Sequence, residues 1–399
     1  MRGMTTLDVC IRGSGAVGLS LALALARQGL QVGLVGAAAG QAAADGRADV
    51  RADVRAYALN AASRALLTEL KVWDALPADA VTPVDDMQVE GDAAGGRIDF
   101  SAWRQGSEAL AWIVDAAELD AALRTAVRFA PHVSWLAEGS ADVKAAALSV
   151  LAEGKASASR QALGVRFERH DYGHIALAAR LVADVPHLNM ARQWFRSPDV
   201  LALLPLDRPE PGRSYALVWS LPAERAAALQ QAPAADFEAA LAEATGGAAG
   251  TLRLVDDLAD DPADGPAGAQ PSARAAWPLA LAQADRLCGP GWVLLGDAAH
   301  LVHPLAGQGL NLGLADVAAL ARVVAAREAW RGLGDETLLR RYVRERSAPT
   351  QAMALLTDGL LHLFAHPQPV VRELRNRGMT LLNHLAPVKR FLTRRALDA

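Results

Sequence analysis

The sequence predicts an α/β chain in which a parallel βαβ domain, assembled from both ends, is interrupted by a mainly antiparallel β-sheet domain and followed by a helical C-terminus. Three observations predict it. A strand, glycine turn, helix and second strand open the chain over residues 7–35. Strand-like runs joined by Pro and Gly fill 172–221, a pattern that suits antiparallel strands. A short apolar strand at 292–295 then leads into helical segments that continue almost to the end. Parallel strands require crossover helices whereas antiparallel ones require only turns, so this order implies one domain inserted into another.

The elements follow in order. Residues 7–11 (L-D-V-C-I) form a buried strand, and Gly13-Ser14-Gly15-Ala16-Val17-Gly18 turn the chain. Residues 19–27 are an apolar helix stopped by Gln28-Gly29, and 30–35 are the second strand. Residues 37–54 are Ala-rich and hold the repeat Arg47-Ala48-Asp49-Val50, Arg51-Ala52-Asp53-Val54, which reads as a low-complexity loop. Helix is expected over 58–70, 116–130 and 223–244, and strands over 81–103 with turns at Gly91 and Gly95-Gly96. Further strands are expected at 148–151, 173–183, 191–195, 200–204 and 215–221. Asp256, Asp257, Asp260, Asp261 and Asp264 mark 256–275 as a solvated joint.

Composition narrows the function classes. The 399 residues are 52% apolar with a formal charge of −4, enough for a sizeable core and without the basic footprint of nucleic-acid binding. Cys10 and Cys288 have neither disulfide-framework nor zinc spacing, so no metal site is expected. The N-terminus lacks a signal peptide's pattern, and no apolar run reaches the ~18 residues of a spanning helix. A cytoplasmic protein is expected.

Two glycine-bearing segments carry chemistry. Gly13, Gly15 and Gly18 have the spacing of a phosphate-binding turn, where one glycine makes the turn, one admits a pyrophosphate and one lets helix and strand pack. The amides of Ala16 and Val17 at the helix start would point at the anion. An ordinary glycine turn has the same letters. Gly36 stands where the second strand should end in an acid that holds a ribose. The second segment, 296–316, reads G-D-A-A-H-L-V-H-P-L-A-G-Q-G-L-N-L-G-L-A-D. Its strand delivers Gly296 and Asp297 to a strand end, where the carboxylate can accept a bond from a sugar-alcohol hydroxyl. Pro304 stiffens the next turn, Gly307 and Gly309 let backbone pass close to a flat ring, and Gln308, Leu310 and Asn311 begin a helix whose positive end would face that ring.

This second segment resembles the FAD motif of the flavin-dependent aromatic hydroxylases, and is particularly similar to their ubiquinone-biosynthesis (UbiH/UbiF-like) branch. Other matches fall in that family's order. Arg55-Ala56-Tyr57-Ala58-Leu59 with Ser63 and Val72-Trp73-Asp74-Ala75-Leu76 resembles its R-x-x-A-L…S…V-W-D-x-L segment, which implies that Arg55 contacts FAD. Residues 152–160, with Glu153 and Gly154, resemble A-D-G-x-x-S-x-x-R, a segment placed near FAD and NAD(P)H. Residues 201–206 resemble the substrate-domain strand over the flavin. Glu153 departs from the family's Asp, Gly36 from its ribose-binding acid and Ala116 from a frequent Asn. The resemblance implies a Rossmann-like FAD-binding domain of the para-hydroxybenzoate-hydroxylase type at 1–80, 104–165 and 277–345. It also implies a substrate domain at 81–103 and 166–276, with a C-terminal helical segment at 346–399.

The implied activity is FAD-dependent monooxygenation of an aromatic ring, with NAD(P)H as transient co-substrate, O₂, and a flavin hydroperoxide as oxygen donor. The substrate expected is a polyprenylated phenol of ubiquinone synthesis. A small soluble aromatic, or a catalytically impaired FAD-binding scaffold of a biosynthetic complex, remain alternatives. No side-chain acid or base is required, and His300 and His303 read as structural. Trp112, Trp194 and Trp219 read as packing more readily than as an aromatic pocket. Arg372, Arg375, Arg377, Lys389, Arg390, Arg394 and Arg395 interleave with apolar residues over 372–395. That pattern suits either a packed helix with a solvated face or peripheral contact with an anionic membrane.

Overall fold

The computed structural model describes residues 7–36, 53–92, 96–255, 274–302 and 308–365. The repeat up to Ala52, the acidic loop, His303, Pro304, Gly307 and the basic stretch 372–395 lie outside the described residues.

The chain opens with β1 (Val9–Arg12), α1 (Ala16–Ala26) and β2 (Val32–Val35). All residues of α1 from Gly18 onward are buried, because both its faces are covered. Next come β3 (Ala56–Leu59) and α2 (Ala61–Glu69). The expected helix at 58–70 therefore starts later, after Asn60, whose side chain accepts from the Ser63 amide and caps it. Ala58 and Leu59 are instead drawn into a sheet. The chain continues through β4 (Val81–Val84), β5 (Asp86–Glu90), β6 (Arg97–Ser101), the single-turn α3 (Ala102–Gln105), β7 (Ala111–Asp115) and α4 (Ala116–Arg128). Asp115 caps α4 by accepting from the amides of Ala117 and Glu118. After β8 (Val133–Leu136), α5 (Ala141–Ala145), β9 (Leu148–Leu151) and α6 (Ala158–Ala162) come four long strands. These are β10 (Phe167–Ala183), β11 (Met190–Arg196), β12 (Asp199–Leu206) and β13 (Ser214–Pro222).

The expected helix at 223–244 is two, α7 (Ala223–Gln231) and α8 (Ala234–Thr245), because Pro233 lacks the amide needed to continue the first and sits well at the start of the second. Then follow β14 (Leu252–Leu254), β15 (Arg274–Ala284), β16 (Cys288–Gly289), β17 (Trp292–Leu294), β18 (His300–Leu301), α9 (Gln308–Ala325) and α10 (Glu336–Ala365).

Three sheets organise these elements. The first has the order β16-β17-β9-β1-β2-β8, with β17, β9, β1, β2 and β8 parallel. The second runs β18-β15-β10-β13-β12-β11-β5-β6, with β14 attached to β10. A small third sheet, β3-β7-β4, stands between them. Two expected boundaries move. β15 pairs with β10 from Phe167↔Ala284 to Ala179↔Arg274, so residues 277–284 belong to the large sheet. β4 pairs with β7 and leaves it. Backbone pairing with strands distant along the chain decides both.

Alternation along β12 positions the substrate side. Leu201 and Leu203 join Trp194, Trp219 and Phe237 in a core on the side of the sheet covered by α7 and α8. Leu204 and Leu206 face the other way, onto Val84, Leu110 and Ile113 of the small sheet and its surroundings. Trp112 packs edge-on to Trp73 with centroids 6.2 Å apart, under the Arg64 guanidinium. These tryptophans are core.

Candidate functional site

The site is built where β1, β9 and β17 end side by side. β1 stops at Arg12 and the chain turns through Gly13 and Ser14 into α1, whose N-cap is Gly15. A Cβ on Gly13, at φ +115°, would lie 2.1 Å from the Ala152 carbonyl oxygen. One on Gly18 would lie 1.9 Å from the Gly13 carbonyl oxygen. One on Gly15 would meet nothing within 4 Å. Packing therefore demands Gly13 and Gly18, while Gly15 opens onto free space. No side chain caps α1 and no acid sits in its first turn, so the start of the helix, at Ala16 and Val17, is left to attract an anion from outside. Arg124 of α4 adds a cation, its Nη2 donating to the Ser14 carbonyl at 3.2 Å while Asp120 holds its Nε.

β17 hands over to a 3-10 turn, Gly296–Ala298. Val17 packs against it from α1. A Cβ on Gly296 would stand 3.3 Å from Val17 Cγ2, and one on Gly313 of α9 only 2.5 Å from the same atom. The Asp297 side chain emerges here with no hydrogen-bond partner among the described residues, solvent-reachable yet walled by protein. That enclosure pushes its pKa up, while His300 and Lys155 pull it back down.

Beneath the turn lies a buried ionic cluster. Asp316 of α9 is fully buried and accepts from the Gly296 amide at 3.0 Å, from His300 Nε2 at 2.7 Å and from Arg346 Nε at 2.7 Å. Arg346 of α10 also donates to the Leu312 carbonyl, and Tyr342 of α10 donates to the Leu294 carbonyl. Burial alone would discharge both His300 and Asp316. Each is held ionised by the other, with Arg346 assisting Asp316, so the histidine pKa rises and the aspartate pKa falls. His300 thus serves the fold as a buried partner of Asp316.

The remaining sequence-expected residues divide. Arg55 is brought toward the cleft, where Tyr57 feels both its charge and that of Asp297. Its guanidinium is held by Asp53, Nε to Oδ1 at 2.8 Å and Nη2 to Oδ2 at 2.6 Å. Glu153 stays in its own turn, where its carboxylate accepts from Ser157 Oγ and from the amide and hydroxyl of Ser159. Gly154 follows at φ +74°. Asn311 points into a buried joint: Oδ1 accepts from the Asn60 amide and Ser63 Oγ, and Nδ2 donates to the Ala58 carbonyl. Its side chain therefore locks α9 onto β3 and α2. Leu310 packs against the main core, and a Cβ on Gly309 would meet nothing within 4 Å. Gln308 begins α9, and its side chain is outside the described set.

The chain matches the model of the FAD binding domain family over residues 104–357. It belongs to that family. It is 30% identical to the 3-demethoxyubiquinol 3-hydroxylase of Escherichia coli, with 98% of each chain covered. It is also 30% identical to the ubiquinone hydroxylase UbiL of Rhodospirillum rubrum, covering 98% of this chain and 89% of that one. Its fold is similar to that of p-nitrophenol 4-monooxygenase PnpA from Pseudomonas putida, at a TM-score of 0.70 and 17% identity, over 98% of this chain and 96% of that one.

FAD is the cofactor of this flavoprotein, and the residues present fit it. Gly15 leaves room beside a helix start with no side-chain cap, Arg124 offers a cation at the same turn, and the Asp297 carboxylate has no hydrogen-bond partner among the described residues. Arg124 was not legible beforehand, because a lone arginine on an amphipathic helix looks like any solvated charge. Gly36 now has a physical account. A Cβ there would stand 2.6 Å from Ser14 Oγ and 2.7 Å from Ser14 Cβ, so the serine occupies the room an acid would need. Gly36→Asp alone is expected to weaken FAD binding. Adding Ser14→Gly should recover only part of that loss, because the Ser14 amide nitrogen at 3.1 Å and the φ of +157° still constrain a side chain at 36. Titration of apoprotein by flavin fluorescence checks both, and a Gly36→Asp variant that binds FAD as wild type does would remove Ser14 from the account.

Proposed function

We propose that this flavoprotein is a monooxygenase that hydroxylates the aromatic ring of a polyprenylated phenol in ubiquinone biosynthesis, using NAD(P)H and O₂. The observation that carries the reading is the open glycine turn at Gly15, whose helix packs through Val17 on the Gly296 turn bearing Asp297, in a chain similar end to end to ubiquinone hydroxylases. FAD, when bound, supplies the electron storage and oxygen activation. The chain does the rest. Gly15, the start of α1 and Arg124 bind the pyrophosphate, and Asp297 accepts a bond from the ribityl chain. Arg55 exchanges Asp53 for a cofactor contact. The α9 start at Gln308 and Gly309, with Pro304 and Gly307 just before it in the sequence, would border the reacting ring and favour negative charge there. Gly154, where a Cβ would meet nothing within 4 Å, leaves backbone open to the cofactor, while Gly296 lets the turn bearing Asp297 pack on Val17. The apolar layer of Leu204, Leu206, Val84 and Ile113 keeps water from the ring, which protects a reactive oxygen donor from wasteful breakdown.

The basic stretch 372–395 is proposed to rest on an anionic membrane, where a prenylated substrate resides, and the protein to work beside other enzymes of the pathway. The impaired-scaffold reading keeps one specific support, the ribose position filled by Ser14.

Aerobic assay of FAD-loaded protein separates these readings. NAD(P)H oxidation coupled to a hydroxylated product is expected with a short-chain prenylphenol and weakly with the same phenol lacking the chain. Equal rates would favour a small soluble aromatic. No nicotinamide oxidation under any condition, in protein that binds FAD, would favour the scaffold.

A further inference from the structure

Strand order brings two exposed apolar loops to one end of the large sheet. β5 lies between β11 and β6, with Asp86 paired to Met190 on one side and to Ser101 on the other. Just beyond, the Asp85 amide donates to the Asn189 carbonyl, and the Ala102 amide donates to the Asp85 carbonyl. The loop before β11 and the single turn after β6 therefore leave the sheet together. Their most exposed residues are apolar, with Trp103 at 91% and Leu188 at 76% exposure. Val185 and Pro186 are exposed beside Leu188.

The presentation of Leu188 is built. Its φ is +51° and that of Asn189 is +54°, a region leucine seldom adopts. A buried frame holds it there. His187 Nε2 bonds the Leu206 carbonyl, its Nδ1 accepts from the Asn189 amide, and Asn189 Nδ2 donates to Asp85 Oδ2. A loop free to relax would turn this leucine inward or place glycine or asparagine there. Backbone outliers held by their surroundings are where function is to be sought.

Charge and size choose the partner. Arg104 is exposed next to Trp103, and exposed Arg213 donates to the carbonyl of Asp184, an exposed acid whose carboxylate accepts from the Thr251 amide. A stable dimer needs about 800 Å² from each partner, some 20–30 residues, and four protruding side chains supply far less. An indole and aliphatic tips rimmed by arginines instead match a bilayer interface, where the apolar tips enter and the cations meet headgroups. We infer that Trp103, Val185, Pro186 and Leu188 form a lipid-inserting edge of the substrate domain, flanked by Arg104 and Arg213, that seats the protein on an anionic membrane. This edge uses residues other than 372–395 and does not rest on the identity of the substrate.

The test uses full-length FAD-loaded protein and vesicles of equal parts phosphatidylethanolamine and phosphatidylglycerol. Wild type is expected to co-sediment with them. Trp103→Ser and Leu188→Asn should each weaken binding about tenfold or more, as expected for losing one buried large apolar side chain. Asparagine suits a left-handed backbone, so Leu188→Asn should leave the melting temperature unchanged or raise it, which separates lost binding from lost folding. Brominated lipid should quench a fluorescence component that is missing in Trp103→Tyr. Binding that survives both substitutions, with no quenching of Trp103, would overturn this edge while leaving the basic stretch as the anchor. Absence of binding, or a dimer in solution abolished by the same substitutions, would overturn it too.

Discussion

Asp316→Asn is expected to destabilise the protein by about 3–5 kcal/mol, the scale for removing one partner from a buried ion pair. The aspartate is fully buried and is the shared acceptor for Gly296, His300 and Arg346. Without its charge, Arg346 and His300 are left in a buried site with only a neutral amide between them. His300 would discharge and Arg346 could not. The damage reaches the cofactor, because the Gly296 amide that Asp316 holds sets the turn carrying Asp297. A weakening of FAD binding by tenfold or more is therefore expected alongside the stability loss.

The pH profile should carry the same signature. The folded-state pKa of Asp316 lies below its ordinary 3.8, so its contribution is present above that value and is lost as pH falls through the lower, folded pKa. The folded-state pKa of His300 lies above its ordinary 6.5, so its contribution is fully present below 6.5 and is lost as pH rises through the raised pKa. Wild type should thus lose stability toward both ends. Asp316→Asn should show its largest deficit between those limits and a flatter profile outside them. Urea denaturation across pH, read by intrinsic fluorescence, checks this. A wild-type midpoint retained by Asp316→Asn would remove the cluster from the account.

Gly15→Ala and Gly18→Ala should part company. At Gly18 the new methyl would lie 1.9 Å from the Gly13 carbonyl oxygen, so α1 must move off its turn. About 3 kcal/mol or more of stability should go, at the upper end of overpacking costs, and FAD binding with it. At Gly15 the methyl meets no protein atom within 4 Å, and the backbone there is ordinary, at φ −82°. Stability without cofactor should be unchanged or slightly higher, since alanine narrows the unfolded ensemble. FAD affinity should nevertheless fall about a hundredfold, because the methyl takes the space where phosphate oxygens must reach the amides. Melting of the apoprotein and flavin titration, run on both variants, separate the two effects. If Gly15→Ala binds FAD as wild type does, the pyrophosphate lies elsewhere.

The parts legible in the sequence are those that act over short chain distances. The turn at Gly13, Gly15 and Gly18 and the run from Gly296 to Asp316 are each written in consecutive residues, although Gly13 is confined by Ala152 and Gly296 and Gly313 by Val17. Tertiary structure changed the reading of side chains with two available fates. Glu153 is spent on Ser157 and Ser159, and Asn311 on Ala58, Asn60 and Ser63, because serving the fold satisfied their polar atoms at once. Arg55 is engaged by its near neighbour Asp53.

By itself the sequence determined the βαβ opening, the antiparallel sheet, the FAD family and the two glycine-bearing segments, since strand periodicity and glycine spacing are written in consecutive residues. Only the folded chain decided that Arg346 sits beneath Asp297 through Asp316, that Arg124 meets the phosphate turn, that Ser14 fills the room beside Gly36, and that Trp103 and Leu188 share one edge. Each of these joins positions far apart along the chain. Charge compensation, excluded volume and shared exposure exist only once those positions have been brought together.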